Sequence, residues 1–245
     1  MKALIAFVLL LLLSPLTVLA APVPSGVQPM VIDVIDMTDK AALRDGANTF
    51  VGYCMGCHGT QFQRYQTVAD DLGIPYEQML QTLAPAGASI ADPMQTRLLP
   101  EDAKAWFGAE VPDLTLIARV RGTDWLYAYL QGFYADPARP WGVNNTVYPN
   151  VGMPNVLESL QGRQVLDCAE PTAQPCTRLR VTPGTGSLDA RQFDDKVRNL
   201  VAFLAYSADP VQTKSRQIGL YVLLYLAVLI LLAYLLKREY WKDVG

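Results

Sequence analysis

The chain has 245 residues, a net charge of −3 and a hydrophobic content of 51%, raised by an apolar run near each end. That length accommodates one ordinary domain plus flanking segments. A slightly acidic balance excludes the basic footprint of a nucleic-acid binder.

The first apolar run, residues 4–13, follows Lys2 and precedes Ser14-Pro15 and a small-residue stretch. Val18-Leu19-Ala20 fits the small-residue pattern before a cleavage point, so residues 1–20 read as a secretory signal peptide and Ala21 as the first mature residue. An uncleaved N-terminal anchor is the alternative. Residues 21–208 then form the exported domain. Thr38 or Asp39 is placed to cap a helix running towards Tyr53, with Leu43, Ala47, Phe50 and Val51 on one face.

That helix delivers the chain to Cys54-Met55-Gly56-Cys57-His58, and His58 is the only histidine present. C-x-x-C-H is the attachment signature of a c-type haem: two thiols form thioethers and the histidine ligates iron. A structural zinc site needs four ligands, and the other cysteines, Cys168 and Cys176, lie far along the chain. One motif implies one covalently attached haem c.

With no second histidine, the sixth iron ligand expected is a methionine thioether, which raises the potential of the couple. Of seven methionines, Met1 lies in the leader, Met55 is held between the haem cysteines, and Met30 and Met37 precede the first helix. Met79, Met94 and Met153 remain. Met79 sits in a helical pattern and reads as core. Met94 follows a Pro/Gly/Ala stretch at residues 85–93. Met153 lies between Gly152, which permits close backbone approach, and Pro154, which stiffens the exit, so it is the first choice.

Residues 61–110 are mixed, with helical pieces at 76–83 and 100–107. Residues 112–131 read as one helix marked by Leu116, Val120 and Leu130. Residues 136–154 form a long loop with four prolines, two glycines and three asparagines, and a loop of that length is usually functional. Arg119 and Arg121 are candidates to bind the haem propionates, since guanidinium pairs with carboxylate bidentately; solvated charge is the alternative. Residues 164–168 and 176–181 are expected to pair as a hairpin, with Cys168 and Cys176 closing a structural disulfide across it, or remaining free thiols. Residues 189–208 carry Phe193, Val197, Leu200, Val201 and Leu204 at helical spacing, and Asp189 and Gln192 stand at capping-box positions.

A linker at 209–217 leads into an uncharged apolar run at residues 218–236. At roughly 1.5 Å per residue this just crosses a hydrocarbon core of about 30 Å. Lys237, Arg238 and Lys242, with Tyr240 and Trp241, follow in the tail at 237–245, a pattern expected of a cytoplasmic end. The expected fold class is mainly α: a cytochrome c-like haem domain with a small β-hairpin insertion and one C-terminal transmembrane helix.

Four segments together resemble the cytochrome c1 family, the haem subunit of the bacterial ubiquinol–cytochrome c oxidoreductase (cytochrome bc1 complex, complex III). They are CMGCH, VPDLTLIARVRG at 111–122, DWLYAYLQGFYADPARPWGVNNTVYPNVGMPNVL at 124–157, and KREYWKDV at 237–244. The resemblance implies His58 and Met153 as axial ligands, Arg121 as the likelier propionate partner over Arg119, and Gly46 and Phe50 as the point where the first and last helices of the haem domain cross. It implies an electron relay: a Rieske iron–sulfur protein as donor, a soluble or membrane-bound cytochrome c as acceptor, a cytochrome b subunit as neighbour, and no catalytic site of its own. It further implies a dimeric complex among the lipids of the bacterial inner membrane, with the haem domain in the periplasm. Two other readings are an anchored cytochrome of another respiratory complex, such as a terminal or nitric oxide reductase, and a haem-based gas-binding protein with an open sixth site. A peroxidase is weaker still, for it usually needs a second haem and distal acid–base residues.

Overall fold

The structure, a computed structural model, describes residues 36–167 and 178–243. The expected leader at 1–20, Met30, Cys168 and Cys176 lie outside the described residues.

The domain is built on two crossed helices. α1, Lys40–Tyr53, starts where the Asp39 carboxylate accepts the backbone N–H groups of Ala41 and Ala42, which supplies partners that the first turn of a helix lacks. It buries Leu43, Ala47 and Phe50, while Val51 is only half-buried. After β1, Thr60–Arg64, come α2, Tyr65–Leu72, and α3, Tyr76–Thr82; the two-residue β2, Pro93–Met94, returns to pair antiparallel with β1. α4, Pro100–Phe107, has its proline at the first helical turn, where no N–H partner is lost.

The stretch 112–131, read from sequence as one helix, is two: α5, Ile117–Arg121, and α6, Thr123–Gln131. Gly122 parts them with φ 87° and ψ 153°, a backbone that only glycine enters at little cost. The break resets the helical phase. Of the apolar markers, Leu116 and Val120 are exposed and Leu130 is buried, as is Ala118.

The following loop is also more ordered than its composition suggests. β3, Phe133–Ala135, pairs antiparallel with β4, Val143–Asn145. The Asn145 side chain accepts from the N–H groups of Val147 and Tyr148, and the Asn144 side chain accepts from that of Asn150. Side-chain amides replace a regular ladder here, a substitution that hydrophobic periodicity does not register.

α7, Glu158–Gln161, precedes the expected hairpin, formed by β5, Gln164–Leu166, and β6, Leu179–Val181, with Val165 opposite Arg180. α8, Ala190–Ala208, opens with a complete capping box between Asp189 and Gln192. Its Val197, Leu200, Val201 and Phe203 pack into the core with Leu43, Ala47 and Phe50 of α1. At the crossing, a Cβ on Gly46 would lie 2.0 Å from the Asn199 carbonyl oxygen, and Phe50 meets Phe203 with ring centroids 5.6 Å apart. Close backbone approach is what places these helices.

α9, Gln212–Tyr240, begins inside the segment expected as linker, so helix reaches to within a few residues of α8. Residues 217–240 of it are long and apolar enough to cross a membrane, and none of that surface is buried against the domain.

Candidate haem site

The motif occupies the turn that ends α1. The Cys54 carbonyl accepts the N–H groups of both Cys57 and His58, at 3.0 and 2.8 Å, which folds five residues back on themselves. Cys54 is buried and Cys57 partly exposed. Burial, with the neighbouring Cys57, pushes the Cys54 thiol up to about 12. Thr96 donates its hydroxyl to the Gly56 carbonyl at 3.1 Å and holds the outer edge of the turn.

His58 is fixed from the other side. Its Nδ1 lies 2.7 Å from the Pro112 carbonyl oxygen. A carbonyl only accepts, so Nδ1 carries the hydrogen and Nε2 keeps its lone pair for a metal. Burial holds the imidazole below its ordinary pKa, against smaller opposing effects of the Pro112 bond and Asp113, which favours the neutral ligating form. Pro112 is itself pinned. Asp113 accepts from the Gln61 N–H at 2.8 Å and from Thr115 N–H at 2.9 Å, and the Leu114 N–H donates to the Gly59 carbonyl at 2.8 Å.

The methionines separate by environment. Met55 is buried with its sulfur 3.7 Å from the Tyr65 hydroxyl, and Met79 and Met94 are buried in the main core. Met153 is different: it is half-buried on a second apolar cluster of Phe133, Val143 and Val151, and its sulfur accepts the Tyr129 hydroxyl at 3.4 Å. Tyr129 packs against both clusters. Burial and Tyr148 push its phenol up to about 12, so the O–H is retained.

The arginines part company. Arg119 pairs with Asp209, at 3.6 Å, beside the start of α9. Arg121 instead lays its guanidinium over Trp125, 5.0 Å from the ring centroid, and Trp125 stacks on Tyr129 at 4.9 Å. Contacts therefore run from Arg121 through two rings to Met153. No sequence motif marks Pro112, Trp125 and Tyr129 as site residues; an aromatic pair at i, i+4 ahead of the loop is the available signal. A single stretch, residues 112–129, carries the anchors of both His58 and Met153.

One imidazole nitrogen, one thioether and two thiols make a donor set suited to a c-type haem. Among the described residues, no three His, Cys, Asp or Glu side chains gather as a cage for a bare metal ion. The family model described as the Cytochrome C1 family matches residues 31–244.

The chain belongs to the cytochrome c1 family.

Cytochrome c1 of Allochromatium vinosum is 44% identical over 96% of each chain. A protein of Nitrosomonas europaea named ammonia monooxygenase gamma subunit is 39% identical over 86% of each. A chain of a hyperthermophilic respiratory Complex III overlays with a TM-score of 0.41 at 18% identity, covering 100% of this chain and 95% of that one, which is too loose to carry a conclusion. Membership of the cytochrome c1 family makes this an electron-transfer protein with a c-type haem, and its C-terminal helix suits membrane anchoring.

Proposed function

We propose that this cytochrome c1 is the single-haem, membrane-tethered subunit of a ubiquinol–cytochrome c reductase, taking electrons from a Rieske iron–sulfur protein and passing them to a cytochrome c. The observation that carries the reading is His58, oriented by the Pro112 carbonyl so that Nε2 faces away free for iron, in a chain that matches the cytochrome c1 family over residues 31–244. When bound, haem supplies a one-electron ferric–ferrous couple. Cys54 and Cys57 would hold it by thioethers, and His58 and Met153 would ligate its iron. With His58 and Met153 both on iron, no coordination site would be left for an exogenous gas, as an electron relay requires. Arg121, on the aromatic contacts that lead to Met153, is the propionate partner; Arg119 is engaged at Asp209.

The leader at 1–20 exports the haem domain to the periplasm, α9 tethers it to the inner membrane, and the tail faces the cytoplasm. Cys168 and Cys176 form a disulfide. Cytochrome b and lipid surround the stalk in a dimeric complex. The relative named as a monooxygenase subunit favours a second reading, in which this cytochrome serves a different membrane oxidoreductase.

Purification of the full chain from membranes in mild detergent separates the two. Cytochrome b and a Rieske protein are expected alongside it. Recovery with monooxygenase subunits, or with neither of the expected partners, refutes the assignment.

A further inference from the structure

Tyr129 is held on several sides. Its ring lies parallel to Trp125, 4.9 Å away at 8°, and edge-on to Phe133 at 5.2 Å. Its backbone carbonyl accepts the Asn145 side-chain amide at 2.8 Å. With ring and backbone both constrained, the hydroxyl hydrogen is delivered to one acceptor, the Met153 sulfur. A thioether sulfur carries two lone pairs, so accepting this hydrogen leaves one for a metal.

We infer that Tyr129 is a positioning residue: its O–H orients the Met153 thioether and draws electron density from that sulfur, raising the potential of the couple that Met153 ligates. The inference rests on the assignment of Met153 as axial ligand. Its sign follows from electrostatics. The positive end of the O–H dipole faces the ligand sulfur, which favours the less positively charged, reduced form of the centre. Only the difference in this bond's strength between the two oxidation states moves the couple, and a whole hydrogen bond bounds that difference, so the shift expected is about two- to tenfold in the equilibrium constant.

The test uses the full-length holoprotein with Tyr129→Phe, which removes one oxygen and keeps the ring. Met153 stays on iron, so the methionine-to-ferric-iron charge-transfer band persists and the reduced protein still refuses carbon monoxide. Against a redox mediator of fixed potential, the equilibrium moves towards the oxidised protein by about two- to tenfold. Tyr127→Phe, which removes a hydroxyl bonded to Asp194 from the same helix, leaves that equilibrium unmoved. No shift in Tyr129→Phe, a shift towards the reduced form, or an equal shift in Tyr127→Phe overturns the inference. Met153→Leu tests the underlying assignment separately. It is expected to open the reduced iron to carbon monoxide with haem still attached. If Met153→Leu leaves the spectrum unchanged, the ligand assignment falls; if it opens the iron while Tyr129→Phe does nothing, only the role of Tyr129 falls.

Discussion

An alanine methyl at position 46 would sit 2.0 Å from the Asn199 carbonyl oxygen and 2.8 Å from the Phe203 Cβ. Neither obstacle is the free end of a flexible side chain, so the helices themselves must separate. Overpacking a core costs about 1–3 kcal/mol when side chains can yield, and Gly46→Ala belongs at or above the upper end. The expected outcome is a lower thermal midpoint of the holoprotein, by several degrees, with reduced haem retention on heating; an unchanged midpoint would mean that α1 and α8 cross less closely than described. The flanking Asp45–Lys196 pair, 2.5 Å apart but about one-third exposed, contributes little by comparison. At this scale the motif residues were plain from sequence because their chemistry is contiguous: two thiols and the only histidine within five positions. Tyr129 was not. Nothing in an aromatic residue on a helix announces that its hydroxyl reaches a sulfur 24 positions later.

Helix ends follow local chemistry and are legible in the sequence. Asp39 and Asp189 both accept backbone N–H groups of the first turn, and Gln192 returns a bond to the Asp189 backbone. Asp189→Ala should therefore cost about 1 kcal/mol, seen as a lower denaturant midpoint with unchanged slope; equal midpoints would show that packing of α8 on α1 alone holds its first turn. Interruptions are not legible in this way. One glycine at φ 87° divides 112–131 into two helices, although an apolar pattern runs through it. The strand pair β3–β4 leaves no alternating pattern, because its loop is rich in proline and asparagine. There, Asn144 and Asn145 satisfy the backbone that a longer ladder would otherwise pair.

The whole molecule divides at residue 211. The apolar stretch of α9 buries none of its surface in the domain, so it adds nothing to the core, and its exposed side chains require a lipid environment. A chain ending at Val211 is expected to be released into solution with the haem spectrum and thermal midpoint of the full-length protein. Retention in membranes, or loss of haem, would show that the domain depends on the stalk. The Arg119–Asp209 contact near the junction is exposed on the arginine side and too weak to alter that expectation.

Sequence alone determined the contiguous features: the C-x-x-C-H motif with its lone histidine, the helix caps, the apolar C-terminal run and the segments that carry the family. Each is encoded within a few residues or a helical period, so no folding is needed to read it. Tertiary structure decided the rest. It brought the Pro112 carbonyl to His58 across 54 positions and joined Gly46 to the Asn199 backbone. It also separated Arg121 from Arg119 and gave Met153, rather than the buried Met79 or Met94, a hydroxyl partner in Tyr129. These contacts span many residues and depend on where whole helices come to rest, which is settled by packing and steric fit rather than by any local pattern.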